Sequence, residues 1–182
     1  MVEMGERDLL FQSLQGYLEE LRESGVDELQ FGQLAAAVEL DCQAVGNPQA
    51  RLAFVMTGAG FAGEAGELLA KIVKAMGFDT SDVYLLSFGA GSSGAGSPTR
   101  EQLLARIAAV GPEVVVTLGE QAAQLLLATD EPVEKLRGKF RDVAGVPLLP
   151  TLHPDAMLEN TELKREVWSD MQQVMRRLAN PG

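Results

Sequence analysis

The stretch VVVTLG at residues 114–119 places three valines, a threonine and a leucine in a row and ends in glycine. β-Branched residues favour extended backbone, and an apolar run without polar alternation predicts a strand that is buried on both faces. The glycine is followed by a predicted helix whose apolar face consists of Ala122, Ala123, Leu125 and Leu126. A buried strand that leads directly into an amphipathic helix is typical of a parallel sheet covered by helices.

Similar units lie on both sides of this stretch. The other predicted strands are at residues 52–56, 82–88, 140–143 and 147–149, the last two being short strands or a hairpin. A helix with a serine cap begins at Ser97-Pro98, and a closing helix covers residues 163–178. We therefore predict a three-layer α/β/α fold with a central, mostly parallel, four-stranded sheet.

The turn Gly46-Asn47-Pro48 divides the chain. Residues 1–45 predict a helical extension packed on the body, and residues 46–182 predict the α/β domain. No segment approaches the roughly 18 apolar residues that a membrane span needs, and early acidic residues disfavour a signal peptide. We expect a cytoplasmic protein without a membrane partner.

The charge limits the class of partner. The chain has 15 Lys and Arg against 26 Asp and Glu, a formal net charge of −11. Because nucleic-acid affinity comes largely from neutralising phosphates, this balance disfavours tight, non-specific duplex binding; a local DNA site and a basic protein partner stay open. The single cysteine, Cys42, cannot by itself hold an iron–sulfur cluster or a structural zinc, so we expect no cofactor and no metal.

The segment GAGFAG at residues 58–63 has the G-x-G-x-x-G spacing of a dinucleotide-binding turn between a strand and a helix. Such a site also uses an acidic residue at the end of the next strand, where this chain has Ser87-Phe88. A second match, at residues 89–94, lies too far before its helix. The turn is consistent with a nucleotide site or simply with tight packing.

Several segments, taken in order over residues 46–178, resemble the family-4 (thermophile-type) uracil-DNA glycosylases. The matching segments are FAGEAGELL at 61–69, SPTRE at 97–101, VVVTLG at 114–119, LRG at 136–138, VPLLPTLHP at 146–154 and KREVWSDM at 164–171. The resemblance implies the fold of those enzymes and a pocket for a base that has been flipped out of DNA.

The same resemblance implies a site that departs from the family pattern. The family's G-E-x-P-G motif activates the attacking water, and here Thr57 stands in place of its glutamate, followed by Gly58 and Gly60. Phe61 matches the ring that stacks on the base, and Ser87 matches an asparagine that reads the uracil edge. A serine hydroxyl cannot reproduce the paired donor and acceptor of an amide.

His153 is the only histidine and begins HPDAML at residues 153–158, which matches the family's H-P-x-x-L segment. The resemblance implies that its imidazole supports the developing uracil anion; an equal alternative is that it only holds its loop in place. Pro154 and Asp155 begin a loop that enters the duplex in the family. The resemblance also places Gly91 at a position where the family has a cluster cysteine.

Lys135, Arg137, Lys139 and Arg141 alternate with other residues, so an extended chain would carry them on one side, as a phosphate contact or a solvated face. We predict a degenerate uracil-DNA glycosylase homologue with weak or no base excision and a pocket for DNA or a free nucleobase. The catalytic candidates are His153 and Thr57. The alternatives are an active DNA glycosylase of altered specificity, a nucleotide-binding module and a protein-interaction module.

Overall fold

The computed structural model describes residues 42–89 and 98–181. Its strands are Cys42–Gly46 (β1), Leu52–Thr57 (β2), Tyr84–Phe88 (β3), Val114–Leu118 (β4), Arg141–Val143 (β5) and Val146–Thr151 (β6). The helices of this part of the chain are Gly63–Ala75 (α1), Arg100–Val110 (α2), Glu120–Leu127 (α3), Val133–Leu136 (α4), Pro154–Glu159 (α5) and Leu163–Ala179 (α6). None of these helices is long and apolar enough to cross a bilayer.

The strands form one sheet in the order β1-β3-β2-β4-β6-β5. The four inner strands are parallel, which confirms the predicted mostly parallel sheet. The sheet has six strands rather than four because antiparallel strands pair at both edges, β1 with β3 and β5 with β6. Four of the five residues of β1 are exposed, so this edge strand needs no apolar run. Its sequence therefore has no hydrophobic pattern from which a strand could be predicted.

Helices cover both faces of the sheet and complete the predicted three layers. Helices α1, α5 and α6 pack on one face, where the inner strands contribute Phe54, Val116 and Leu149. Helices α2 and α3 pack on the other face, around Val55 and Val115. Successive strand residues point to opposite faces, so inner strands buried on both sides read as the continuous apolar runs seen in the sequence.

One local prediction differs from the structure, and one is not tested by it. Helix α2 is capped by Thr99 and not by Ser97, because the Thr99 hydroxyl accepts the Gln102 amide and the Gln102 side chain accepts the Thr99 amide. The predicted helical extension over residues 1–45 lies outside the described residues, apart from residues 42–45, which belong to β1.

The predicted one-sided run of basic residues is wrong. Lys135 lies in helix α4 and Arg141 begins strand β5, so the segment is not one extended strand. Arg137 turns inward, and its guanidinium forms ion pairs with Glu166 at 3.0 Å and Asp170 at 3.1 Å.

Candidate functional site

A cleft of about 320 Å³ opens at the carboxyl ends of β2 and β6. Helix α1 leaves β2 toward one face of the sheet and α3 leaves the neighbouring β4 toward the other, and such a divergence opens a crevice where α/β folds bind ligands. The lining residues are 56–60, 62–65, 153, 155 and 158. This volume is at the lower end of the range of about 300–1,000 Å³ typical of small-molecule sites.

The turn after β2 forms one wall of the cleft. The Gly58 amide donates to the Phe88 carbonyl oxygen at 2.8 Å, which ties the turn to the end of β3. Its φ of +102° suits glycine. The amides of Ala59 and Gly60 make no hydrogen bond to another described residue, and neither do those of residues 63–65 in the first turn of α1, so both segments offer backbone donors to the cleft.

His153 forms the opposite wall. Its Nε2 lies 2.9 Å from the Thr57 carbonyl oxygen, and its Nδ1 accepts the Asp155 amide at 3.1 Å. A ring that accepts at Nδ1 is neutral there, so Nε2 carries the proton and donates to Thr57. The Asp155 carboxylate lies on the same side of the ring, with its Oδ2 3.2 Å from Nδ1.

Gly119 permits the imidazole to reach across the sheet. His153 follows β6 and Thr57 ends β2, with β4 between those two strands. A Cβ on Gly119, the residue after β4, would lie 3.1 Å from His153 Cβ and 3.2 Å from its Cδ2. The glycine therefore leaves the space through which the ring passes.

The structure brings together only part of the predicted site. Thr57, Gly58, Gly60, His153 and Asp155 line the cleft, and the Thr57 side chain is half-buried there.

Three other predicted residues lie outside the lining of the cleft. Ser87 is buried beneath Gly60, whose Cβ would lie 3.2 Å from the Ser87 hydroxyl oxygen. Phe61 is half-buried against the core on the α1 side of the sheet, and Pro154 is buried at the start of α5. The stacking role of Phe61 and the base-reading role of Ser87 stay predictions.

Among the lining residues that were not predicted for the site, Glu64 and Leu158 have the large exposed side chains. Glu64 lies exposed in the first turn of α1, and Leu158 is an exposed large apolar residue, 40% accessible, in α5. The sequence signal for Glu64 was its place just after the glycine turn, where the positive helix end favours an acid. With Asp155, the cleft therefore carries two carboxylates.

A buried polar cluster supports β6 just before His153. Asp170 of α6 accepts the Thr151 hydroxyl at 2.6 Å and the Arg137 guanidinium at 3.1 Å. Burial raises the pKa of Asp170, and the hydrogen bond from Thr151 and the charge of Arg137 partly oppose that rise. The cluster joins helix α6 to the strand end from which His153 leaves.

The iron–sulfur cluster implied by the resemblance does not fit the available donors. Such clusters use four cysteine thiolates, and this sequence has only Cys42, which is buried in β1. Within residues 42–89 and 98–181, no group of three or more His, Cys, Asp or Glu side chains is placed to hold a metal ion.

Comparison with known proteins identifies the family of this chain. Residues 44–172 match the uracil DNA glycosylase superfamily. The chain belongs to that superfamily. Among curated proteins, this member is 31% identical over 148 residues to the type-4 uracil-DNA glycosylase of Thermotoga maritima, covering 70% of this chain and 77% of the relative.

Two archaeal proteins are also similar to this superfamily member. The type-4 uracil-DNA glycosylase of Archaeoglobus fulgidus is 27% identical over 155 residues, covering 71% of this chain and 78% of the relative. The type-4 enzyme of Saccharolobus solfataricus is 26% identical over 161 residues, with 74% of each chain covered. The resemblance predicted from the sequence segments is thereby confirmed.

Proposed function

We propose that this superfamily member binds one nucleobase, presented by DNA, in the cleft at the ends of β2 and β6, and that it excises uracil weakly or not at all. The relatives are uracil-DNA glycosylases, which supports DNA as the source of the base. The exposed Leu158 at the rim supports the same source, because an apolar side chain beside a base pocket can enter a base stack.

The state of Thr57 and His153 carries the proposal. Cleaving the bond between base and sugar needs a group that activates water and a donor that stabilises the departing uracil anion. The Thr57 hydroxyl is no base at neutral pH, and both ring nitrogens of His153 are bound within the protein. Because losing one such group commonly lowers a rate by about 10²–10³, two losses leave little turnover.

The proposal extends to cofactor and compartment. With one cysteine in the sequence, we infer that the protein works without an iron–sulfur cluster, which colour and iron content of the purified protein test directly. A chain without an internal disulfide suits the reducing cytoplasm.

Uracil release from single- and double-stranded oligonucleotides tests the function, with the Thermotoga maritima relative as the positive control. We expect a rate lower by a factor of about 10³ or more. We also expect the protein to bind a uracil-containing strand more tightly than an undamaged strand. A rate comparable to that of the relative, abolished by His153→Ala, would contradict the proposal.

An active glycosylase of altered specificity is the second candidate, and the Glu64 carboxylate in the cleft favours it. Glu64 could accept the proton of an attacking water in place of the acid missing at Thr57. Release of a base other than uracil, lost on Glu64→Gln, would identify this second function.

A further inference from the structure

We propose that the cleft selects a nucleobase that carries a positive charge and an exocyclic amino group, the chemistry of an N3-alkylated cytosine, over neutral uracil. This inference rests on the proposed function, since it names the class of base that the same cleft takes.

The acceptors in the cleft favour such a base. Glu64 and Asp155 both line it, and the Glu64 carboxylate forms no hydrogen bond or ion pair within the described part of the chain. An ionised carboxylate only accepts hydrogen bonds, so it attracts an amino group or a cationic ring and repels the O4 carbonyl of uracil. No lysine or arginine among the described residues lines the cleft, and the positive end of α1 offsets only part of these two charges.

The donors in the cleft do not restore a preference for uracil. The amides of Ala59 and Gly60, together with those of residues 63–65 in the first turn of α1, can bind a base carbonyl. Cytosine and uracil share the O2 carbonyl, so these donors bind both bases. The proton on His153 Nε2 is committed to the Thr57 carbonyl, and Ser87 lies beneath Gly60. Among the described side chains that line the cleft, only the Thr57 hydroxyl can still donate to O4, and a hydroxyl serves an amino group equally well as an acceptor.

A matched pair of bases isolates this property. 3-Methylcytosine and 3-methyluracil share the ring and the methyl group and differ only at position 4, where the first has an amino group with a positive charge and the second a neutral carbonyl. Equilibrium binding is measured by fluorescence anisotropy with single-stranded oligonucleotides that differ in this one base, alongside unmodified cytosine and uracil. The corresponding free nucleosides, followed by calorimetry, show whether the strand is needed.

We expect the 3-methylcytosine strand to bind about tenfold more tightly than the 3-methyluracil strand, less at high salt. Glu64→Gln and Asp155→Asn should each reduce that preference about two- to fivefold, the range for partly exposed charges. Glu67→Gln is the matched control, because Glu67 is an exposed acid on the same helix that does not line the cleft.

The outcomes separate this inference from the proposed function. Equal affinity for the two methylated strands overturns the inference and leaves a base-binding cleft. The same holds if Glu64→Gln and Asp155→Asn reduce the preference no more than Glu67→Gln does. If no modified or uracil-containing strand binds more tightly than the undamaged strand, the proposed function is overturned, and the inference with it. If the free nucleosides show the same preference for 3-methylcytosine, the cleft recognises the base itself. If only the oligonucleotides show it, the ligand is a base within DNA.

Discussion

At the level of single residues, Gly119 and His153 depend on each other. The Gly119→Ala change adds a Cβ only 3.1 Å from His153 Cβ, at a backbone φ of +94°. We expect the free energy of unfolding to fall by about 1–3 kcal/mol from backbone strain alone, with a further loss from the contact. Urea unfolding measures the loss, and the imidazole NMR signals report whether the ring leaves the Thr57 carbonyl.

Gly77→Ala is the control for backbone strain. Gly77 has a similar φ of +89°, but a Cβ there would meet nothing within 4 Å. The difference between the two variants therefore contains the contact with His153 and the cost of the ψ of 169° at Gly119, and the imidazole signals tell the contact apart from the backbone cost. Equal losses of stability, with unmoved imidazole signals in Gly119→Ala, would show that the glycine does not hold the ring in place.

At the level of elements, the Asp170 carboxyl joins helix α6 to strand β6. Its folded pKa is raised above the usual value of 3.8, mainly by burial, so the folded state binds this proton more tightly than the unfolded state. The contribution of this group to stability is therefore fully present below pH 3.8 and declines as the pH rises through the folded pKa.

The Asp170→Asn variant tests this linkage. Since asparagine does not titrate, we expect the stability of the wild type relative to the variant to shrink as the pH rises from about 4 to 7. At neutral pH the variant should be as stable as the wild type or more stable, because asparagine keeps an acceptor for Thr151 and Arg137 without burying a charge, and Arg137 keeps its ion pair with Glu166. Urea unfolding across this pH range is the measurement. A wild-type advantage that grows with pH would mean that Arg137 outweighs burial.

At the level of the whole molecule, the net charge of −11 opposes association with DNA. Two exposed acids lie near the cleft: Glu159 ends α5, the helix that carries Asp155 and Leu158, and Glu162 lies just before α6. DNA that presents a base to the cleft, as proposed, would bring its phosphates toward them. We expect the double change Glu159→Lys and Glu162→Lys to raise affinity for undamaged duplex about tenfold at low salt, with a steeper salt dependence. Anisotropy titrations at about 50 and 200 mM salt measure both effects.

A charge-matched control separates local from global electrostatics. Glu101→Lys with Glu134→Lys changes the net charge equally, but these exposed acids lie on α2 and α4, outside the cleft lining. An equal rise in affinity for both double variants would show that DNA responds to the total charge and does not approach α5.

Features of the fold that depend on a short stretch of sequence could be predicted, and features that depend on distant residues could not. The parallel sheet was readable because strands buried on both faces must be continuously apolar, as in 52–56 and 114–118. Edge strand β1 was not readable, because an exposed edge needs no apolar pattern. The helical extension over residues 1–45 stays a prediction.

For the site, the sequence by itself determined the residue types: a threonine at the position of the family's acid, one histidine, glycines in the turn and a single cysteine. Only the tertiary structure decided their relations. In the folded protein both ring nitrogens of His153 are hydrogen-bonded, Ser87 is buried beneath Gly60, and Glu64 lines the same cleft as Asp155. The physical reason is that hydrogen bonds and steric contacts between residues as distant in sequence as Thr57 and His153 depend on how strands are ordered in the sheet, which no local pattern encodes.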